Sequence, residues 1–316
     1  MGLMAEVHAS FQKLAHAEVW QRHKNSPVDP PRTESPPRRG QTPDGCLGQG
    51  PRVRLGALYR YVPGGRNLNV VGHQGNFGRQ SAIMGTVNIG EATTSMPGRF
   101  TPRLDILPPA QRHLWPELSA TPDEFTLYGG TAIALRLGHR SSVDFDFFSS
   151  TPFVPNALMQ RLDYLKEATV RQSAPNTLAV TVDRGGPVQL SFFGGLNLGE
   201  VALPETAIGP EIKVASLLDL AGCKVAVVTQ RAELKDYIDV QTLLTKANIP
   251  LAEMLAAAGI IYGTEFNTLL SLKALAYHDD PGLAELPPDV RRNLITAISA
   301  VDLQHLPTLT FVRKRP

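Results

Sequence analysis

Two aspartates separated by one residue have the spacing needed to hold a divalent cation. Residues 142–147 read SVDFDF, an alternating pattern typical of a strand. Because alternate side chains share a face, Ser142, Asp144 and Asp146 are predicted to point the same way, about 6.6–7 Å apart. The intervening positions are predicted to face the core: Val143, Phe145 and Phe147. Such carboxylates repel each other unless a cation lies between them, which suits a divalent metal with oxygen ligands. The alternative is an edge strand with a solvated acidic face.

A pair of glycines precedes these aspartates at a point suited to phosphate binding. The segment Phe125–Tyr128 predicts a short strand, Gly129 and Gly130 follow it, and Thr131–Leu137 predicts a helix that ends at a glycine. Glycine lets a phosphate approach the backbone closely, and the helix start offers free N–H groups and a positive dipole end. Thr131 adds a hydroxyl. Taken alone, the same pattern also fits an ordinary strand-to-helix turn.

A single lysine in an apolar segment indicates a second cluster of charges. Lys224 is the only charged residue between Asp219 and Arg231, and an ammonium there is costly unless it is paired. Lys224 and Arg231 are seven residues apart and would share a face of one helix. In the next predicted helix, Asp236 lies within the apolar stripe and Asp239 at its edge, so each is expected to have a cationic partner. The alternatives are a lysine that reaches solvent and a purely structural ion pair.

The segment YGGTAIALRLGHRSSVDFDFF, residues 128–148, resembles the nucleotidyltransferase signature of the DNA polymerase beta superfamily. It is most similar to the AbiEii/AbiGii-type toxins of abortive-infection and toxin–antitoxin systems. The features that carry this likeness are LGHRSS before the two aspartates, the helix DLAGCKVAVVTQR, and the following KDYIDVQTLL. The resemblance covers about residues 106–280.

This resemblance implies an enzyme that transfers a nucleoside monophosphate from an NTP to an acceptor hydroxyl, with pyrophosphate leaving. It implies that Asp144 and Asp146 hold Mg²⁺, and that Asp236 or Asp239 completes the metal site or orients Lys224. The implied catalytic residues are Asp144, Asp146, Lys224, Asp236 and Asp239. The implied nucleotide-binding residues are Gly129, Gly130, Thr131, Arg140, Ser142 and Arg231. The neighbouring His139 is interpreted as a helix cap or a backbone hydrogen-bond partner.

One feature departs from the polymerase-beta-like pattern, in which a later strand commonly supplies a third carboxylate. Here that strand reads VQLSFF, and its outward positions are Gln189 and Ser191, neither of them acidic. Asp183 belongs to the preceding turn. The resemblance therefore implies either a two-carboxylate metal site completed by Asp236 or Asp239, or a weakened enzyme.

The elements that position these residues predict an α+β fold. A helix near 155–168 and a hairpin of Thr177–Val182 with Val188–Phe193 follow the aspartate strand. After them only helices are predicted: about 211–229, 234–246, 251–258, 265–277 and 288–300. We therefore predict a nucleotidyltransferase core over 106–210 and a helical subdomain over 211–316 that completes the site. Residues 1–105 are expected to be a low-complexity, largely disordered extension, either an artefact of the reading frame or a basic nucleic-acid-binding arm.

Composition excludes several other classes of protein. The 316 residues carry 31 Lys and Arg against 29 Asp and Glu, and only two cysteines, too few for a disulfide framework or a cysteine zinc site. No segment has the apolar length of a membrane span, and no secretory signal is recognisable, so a cytoplasmic protein is expected. GxSxG, HExxH, CxxC and P-loop motifs are absent from the sequence.

The resemblance also implies partners. The acceptor is expected to be an RNA, often tRNA, or a protein hydroxyl, and a cognate antitoxin regulator is expected; no membrane partner is. The alternative is a non-catalytic relative of the same fold that binds nucleotide or a partner protein, which the missing third acid favours. An antitoxin-like enzyme that modifies a toxin fits less well, because such proteins are usually short single domains.

Overall fold

The computed structural model of the chain describes residues 98–309 and residue 312. Residues 1–97, which make up most of the predicted N-terminal extension, lie outside the described residues. The fold is α+β, as the sequence predicts: a mixed sheet, with helices concentrated in the C-terminal half. In the described part of the chain, no helix is both long and apolar enough to cross a bilayer.

The sheet has eight strands in the described residues, in the order β1-β7-β8-β2-β3-β6-β5-β4. The strands are β1 (Arg99–Phe100), β2 (Thr126–Tyr128), β3 (Asp144–Phe148), β4 (Thr169–Ala174), β5 (Thr177–Asp183), β6 (Pro187–Phe193), β7 (Glu205–Ala207) and β8 (Lys213–Val214). The aspartate strand β3 lies in the interior of this sheet, antiparallel to β2 and parallel to β6. The edge-strand interpretation of the two aspartates is therefore wrong.

The helices are α1 (Pro109–Leu114), α2 (Gly129–Leu137), α3 (Pro155–Arg161), α4 (Leu217–Val227), α5 (Leu234–Thr245), α6 (Leu251–Tyr262), α7 (Thr268–Ala276) and α8 (Pro288–Ser299). Gly138 ends α2 in the left-handed conformation, with φ of 58°, which confirms the predicted stop. The predicted hairpin is also confirmed: Asp183 accepts hydrogen bonds from the backbone N–H groups of Gly185 and Gly186, both at 2.9 Å.

Aromatic side chains on the inner face of the sheet form part of the core. Phe145 and Phe147 of β3 are fully buried, and the ring of Phe147 stacks on that of Phe192 with centroids 5.2 Å apart. Since the core-facing positions of β3 alternate with its aspartates, burial of the phenylalanines fixes the register that presents both carboxylates on the opposite face.

Two predictions near the start of the sheet are corrected. Val143 is 42% exposed rather than buried, because β3 begins only at Asp144. Residues 98–105, assigned to the extension, are partly structured: Arg99–Phe100 forms β1, which pairs with β7, and the Arg103 N–H bonds to the Leu135 carbonyl at 2.7 Å.

Three element predictions are also corrected. The predicted helix 211–229 begins only at Leu217, because Lys213–Val214 pairs with β2 and Ser216 caps the helix, so that strands continue past residue 210. The helix near 155–168 is shorter, ending at Arg161 before a 3₁₀ turn. The strand Thr169–Ala174 was not predicted, because it lies at the sheet edge, exposed along most of its length and without apolar alternation.

Candidate active site

The glycine turn lies directly against the aspartate strand and the loop that precedes it. Gly129 opens α2 with φ of +78°, and a Cβ placed on it would lie 2.6 Å from the Asp146 carboxylate oxygen Oδ2. A Cβ on Gly130 would overlap Nη2 of Arg140. Gly129 therefore requires glycine for its conformation and its close approach to Asp146, whereas a side chain at position 130 would require Arg140 to move. The predicted juxtaposition of the turn with Asp146 is present.

Thr131 and Ser142 connect the turn to the strand. The Thr131 hydroxyl donates to the Asp144 carbonyl oxygen and lies 2.7 Å from the Ser142 hydroxyl. Thr131 is 2% exposed and Ser142 7% exposed. These hydroxyls hold α2 against β3, and their contact with a nucleotide stays a prediction.

The two strand aspartates repel each other electrostatically. Burial and the neighbouring Asp144 raise the pKa of Asp146 to about 6, even though Ser191 donates a hydrogen bond to it. Lys224 and Lys235 act in the opposite direction, since their positive charge favours ionised Asp146. The arrangement concentrates negative charge next to a turn that only glycine can form, and a divalent cation would relieve this repulsion.

The predicted cluster around Lys224 is present. The Lys224 Nζ lies 2.7 Å from Asp236 Oδ1 and 2.8 Å from Asp239 Oδ2, and Arg231 Nε lies 2.8 Å from Asp236 Oδ2. Lys224, Asp236 and Asp239 are all buried. The interpretation of a lysine that reaches solvent is wrong. Arg231 also lies beyond the end of α4 at Val227, so it meets Asp236 through the following loop, not by sharing a helix face.

Asp239 joins this cluster to the loop before β3. His139 Nε2 and Arg140 Nε lie 2.6 and 2.7 Å from its Oδ1, and Arg140 Nη2 donates to Oδ2 at 2.9 Å. Burial alone would raise the pKa of Asp239, but Lys224, His139 and Arg140 lower it well below its usual range. His139 thus bonds a carboxylate, not the backbone as interpreted from the sequence.

These contacts bear on the two roles expected for the carboxylates of α5. Both oxygens of Asp236 and both oxygens of Asp239 already face a cationic side chain: Lys224, Arg231 or Arg140. Within residues 98–309 no three acidic, histidine or cysteine side chains gather as a metal site. The geometry therefore favours orientation of Lys224 over completion of the metal site.

Two features near the site were not predicted from the sequence. Lys235, at the start of α5, lies close enough to lower the pKa of Asp146, and it pairs with Glu233 at 2.9 Å. Its position directly before Asp236 was the available signal. A pocket of about 400 Å³ is lined by residues 105–108 and 138–141, beside the loop that carries Arg140.

The fold and the site together define a nucleotidyltransferase: a mixed sheet carries two aspartates on an interior strand, and a glycine turn opening a helix lies against them. Residues 114–306 match the family model described as nucleotidyl transferase AbiEii toxin of type IV toxin–antitoxin systems. The chain belongs to this family. The matched range contains the glycine turn, both strand aspartates and the lysine cluster.

Other proteins show similarity over part of the chain. An uncharacterized protein of Aquifex aeolicus is 30% identical over 161 residues, which is 50% of this chain and 75% of the relative. A crystal structure from H. pylori, described as a nucleotidyltransferase, is 15% identical with a TM-score of 0.41, covering 60% of this chain and 90% of that one. The nucleotidyltransferase toxin MenT4 of Mycobacterium tuberculosis is 16% identical with a TM-score of 0.42, covering 62% and 83%.

Proposed function

We propose that the protein transfers a nucleoside monophosphate from an NTP to an acceptor hydroxyl in a Mg²⁺-dependent reaction. The observation that carries this proposal is the contact between Gly129 and Asp146, since only glycine permits it and it brings a phosphate-binding turn onto a carboxylate pair. Membership of the nucleotidyltransferase family supports the same reaction class.

Each part of the site has a role in this proposal. The Gly129–Gly130 turn and the first N–H groups of α2 bind the triphosphate. Asp144 and Asp146 would hold Mg²⁺, which neutralises phosphate charge and activates the attacking hydroxyl when bound. Arg231, whose side chain is 30% exposed, can reach a phosphate while its Nε stays on Asp236. Lys224 contributes positive charge from its buried position.

Asp236 and Asp239 act through the cations that they hold. Because each carboxylate binds at least two cationic groups, α5 fixes Lys224, Arg231 and Arg140 around the strand aspartates. We propose on this basis that the helical subdomain 211–316 completes the site formed by the core 106–210. A fixed set of charges needs little reorganisation when charge develops on the transferred phosphoryl group.

The biological role follows from the family. We propose that the protein is the toxin of a toxin–antitoxin pair, that its acceptor is a tRNA or a protein hydroxyl, and that a cognate antitoxin opposes it. Expression of the chain in a bacterial host should arrest growth, and co-expression of the antitoxin gene should restore it. Growth that is unaffected by the active chain would contradict the toxin role.

The reaction is tested by incubating the purified protein with Mg²⁺, total tRNA and each labelled NTP in turn. Wild type is expected to transfer label, and Asp144→Ala is expected to transfer none, because the carboxylate pair is broken. Label in RNA identifies a tRNA acceptor, and label in protein identifies a protein acceptor. Transfer that persists in Asp144→Ala would overturn the metal assignment.

A matched control for this substitution is Asp302→Ala. Asp302 is 61% exposed, and within the part of the chain that the structure describes its ion-pair partner is His305, outside the site. The Asp302→Ala variant should transfer label at the wild-type rate. Loss of transfer in Asp144→Ala can then be attributed to the position of Asp144 and not to the removal of an acidic residue as such.

A second candidate function is binding without turnover. It is favoured by one observation: the strand beside β3 presents Gln189 and Ser191 where a third carboxylate is common. NTP binding without any transferred label, in the presence of Mg²⁺ and all acceptors, would establish this function in place of the first.

A further inference from the structure

Gln189 lies directly beside Asp144 in the sheet. Strands β3 and β6 run parallel, with Asp144 paired to Gln189 and Asp146 paired to Ser191. Neighbouring strands are about 4.8 Å apart. On either side of Gln189, Val188 and Leu190 are buried in the core at 0% and 1% exposure. Alternation along β6 therefore places the Gln189 side chain on the same face as the two aspartates.

The amide oxygen of Gln189 is buried and has no hydrogen-bond partner among the described residues. A buried polar atom without a partner carries a desolvation cost, so such atoms are uncommon. The position beside Asp144 indicates a divalent cation as the partner of this oxygen. An amide oxygen is a hard ligand of the kind that Mg²⁺ and Mn²⁺ bind alongside carboxylates.

The other residues expected to complete the metal site are already engaged. All four carboxylate oxygens of Asp236 and Asp239 bind cationic side chains. Ser191 donates its hydrogen bond to Asp146. Gln189 is thus the remaining oxygen donor on β6 that faces the aspartate pair.

We propose that Gln189 Oε1 is the third protein ligand of the divalent cation held by Asp144 and Asp146. This inference rests on the proposed function. A neutral amide in place of a third carboxylate leaves the site one negative charge short. The free protein should therefore bind the cation weakly and depend on nucleotide phosphates for the remaining ligands.

The test is Mn²⁺ binding without nucleotide, measured by the electron paramagnetic resonance signal of free Mn²⁺. Gln189→Leu should raise the Kd about tenfold, the scale expected when a group supporting a metal site is lost. Gln189→Glu should lower the Kd by a similar factor, because it restores a third carboxylate. An unchanged Kd in either variant overturns the proposal.

Controls separate this inference from the function on which it rests. Gln172→Leu, an exposed glutamine on the edge strand β4 of the same sheet, should bind Mn²⁺ as wild type does. Asp144→Ala should abolish binding. Wild-type binding that survives Asp144→Ala contradicts the proposed metal site itself, whereas loss in Asp144→Ala with no effect of Gln189→Leu contradicts only the role of Gln189.

The proposal stays testable if Gln189→Leu does not fold. Gln189→Asn keeps the amide but withdraws it by one methylene, and it should also weaken Mn²⁺ binding. Circular dichroism and the melting temperature report whether each variant is folded. A folded Gln189→Asn that binds Mn²⁺ with the wild-type Kd would overturn the assignment.

Discussion

At the scale of single residues, Asp146 shows that the site is held in an unfavourable electrostatic state. Its pKa is raised to about 6 by burial and by Asp144, so at neutral pH the fold holds a carboxylate charge that it disfavours. A charge of this kind is typical of a functional position, because a residue selected only for stability would be neutral there.

Asp146→Asn should therefore make the metal-free protein more stable while abolishing transfer. The raised pKa stabilises the fold only when Asp146 is protonated, so this contribution is complete below about pH 4 and is lost as pH rises through 6. We expect a gain of about 3 kcal/mol at pH 7 that shrinks towards pH 4. The free energy of unfolding in urea, measured for both proteins at pH 7 and pH 4, checks this prediction. An Asp146→Asn variant that is less stable than wild type at pH 7 would contradict it.

Asp239 represents the opposite case, a buried carboxylate that the fold needs charged. Asp239→Asn leaves Lys224, Arg140 and His139 without their common partner, and removing one member of a buried ion cluster costs about 3–5 kcal/mol. Asp302→Asn, at an exposed pair, should cost less than about 1 kcal/mol. Thermal unfolding compares the two, and equal losses would show that Asp239 is not a structural centre.

Which of these residues can be recognised from the sequence depends on whether the signal is local. The aspartate pair, the glycines and the lysine in an apolar helix are visible because each breaks a local pattern. The bond from His139 to Asp239 spans 100 positions, and the engagement of the Thr131 hydroxyl by β3 depends on strand register. Neither contact has a signature in the neighbouring residues.

At the scale of elements, the strand–turn–helix unit from β2 to α2 is restricted by its two glycines. Gly129 has a positive φ, and both glycines lie against a charged side chain of the site. The order of this unit was predictable, since its glycines, apolar helix and stop at Gly138 are all local signals, but its bounds were not: the strand begins at Thr126 and the helix at Gly129. The two-residue strand β8 was not predicted, because it is too short for a local pattern and is defined by its pairing with β2 and β7.

Gly129→Ala and Gly130→Ala should each abolish transfer and lower the melting temperature. The added methyl would press on Asp146 in the first and on Arg140 in the second. Gly259→Ala is the matched control, because it lies within α6 and a Cβ there meets nothing within 4 Å. That control should raise stability by about 0.5–1 kcal/mol and leave transfer unchanged. A folded Gly129→Ala with full activity would remove the glycine turn from the proposed mechanism.

At the scale of the whole molecule, the site joins the sheet to the helices that follow it. The strand aspartates come from β3 and Arg140 from the loop before it, while Lys224, Arg231 and the carboxylates that bind these cations come from α4, α5 and the loop between them. The sequence indicated two consecutive parts, but strand β8 and helix α4 are separated by only two residues, and Asp239 binds the loop before β3. The two parts are expected to unfold together.

Hydrogen exchange tests this expectation. Amides of β3 and of α5 should exchange at the same rate in urea, and Asp239→Asn should accelerate both equally. Strands that stay protected after α5 has exchanged would show that the core is stable alone. That result would contradict the view that the helical part is needed for the structure of the site as well as for its charge.

The close approach of Gly130 and Arg140 has a consequence for how this site can change over generations. The guanidinium of Arg140 fills the space that any side chain at position 130 would take. A larger residue there becomes acceptable only if Arg140 moves or is replaced. Each of the two positions therefore restricts the substitutions that this protein can accept at the other.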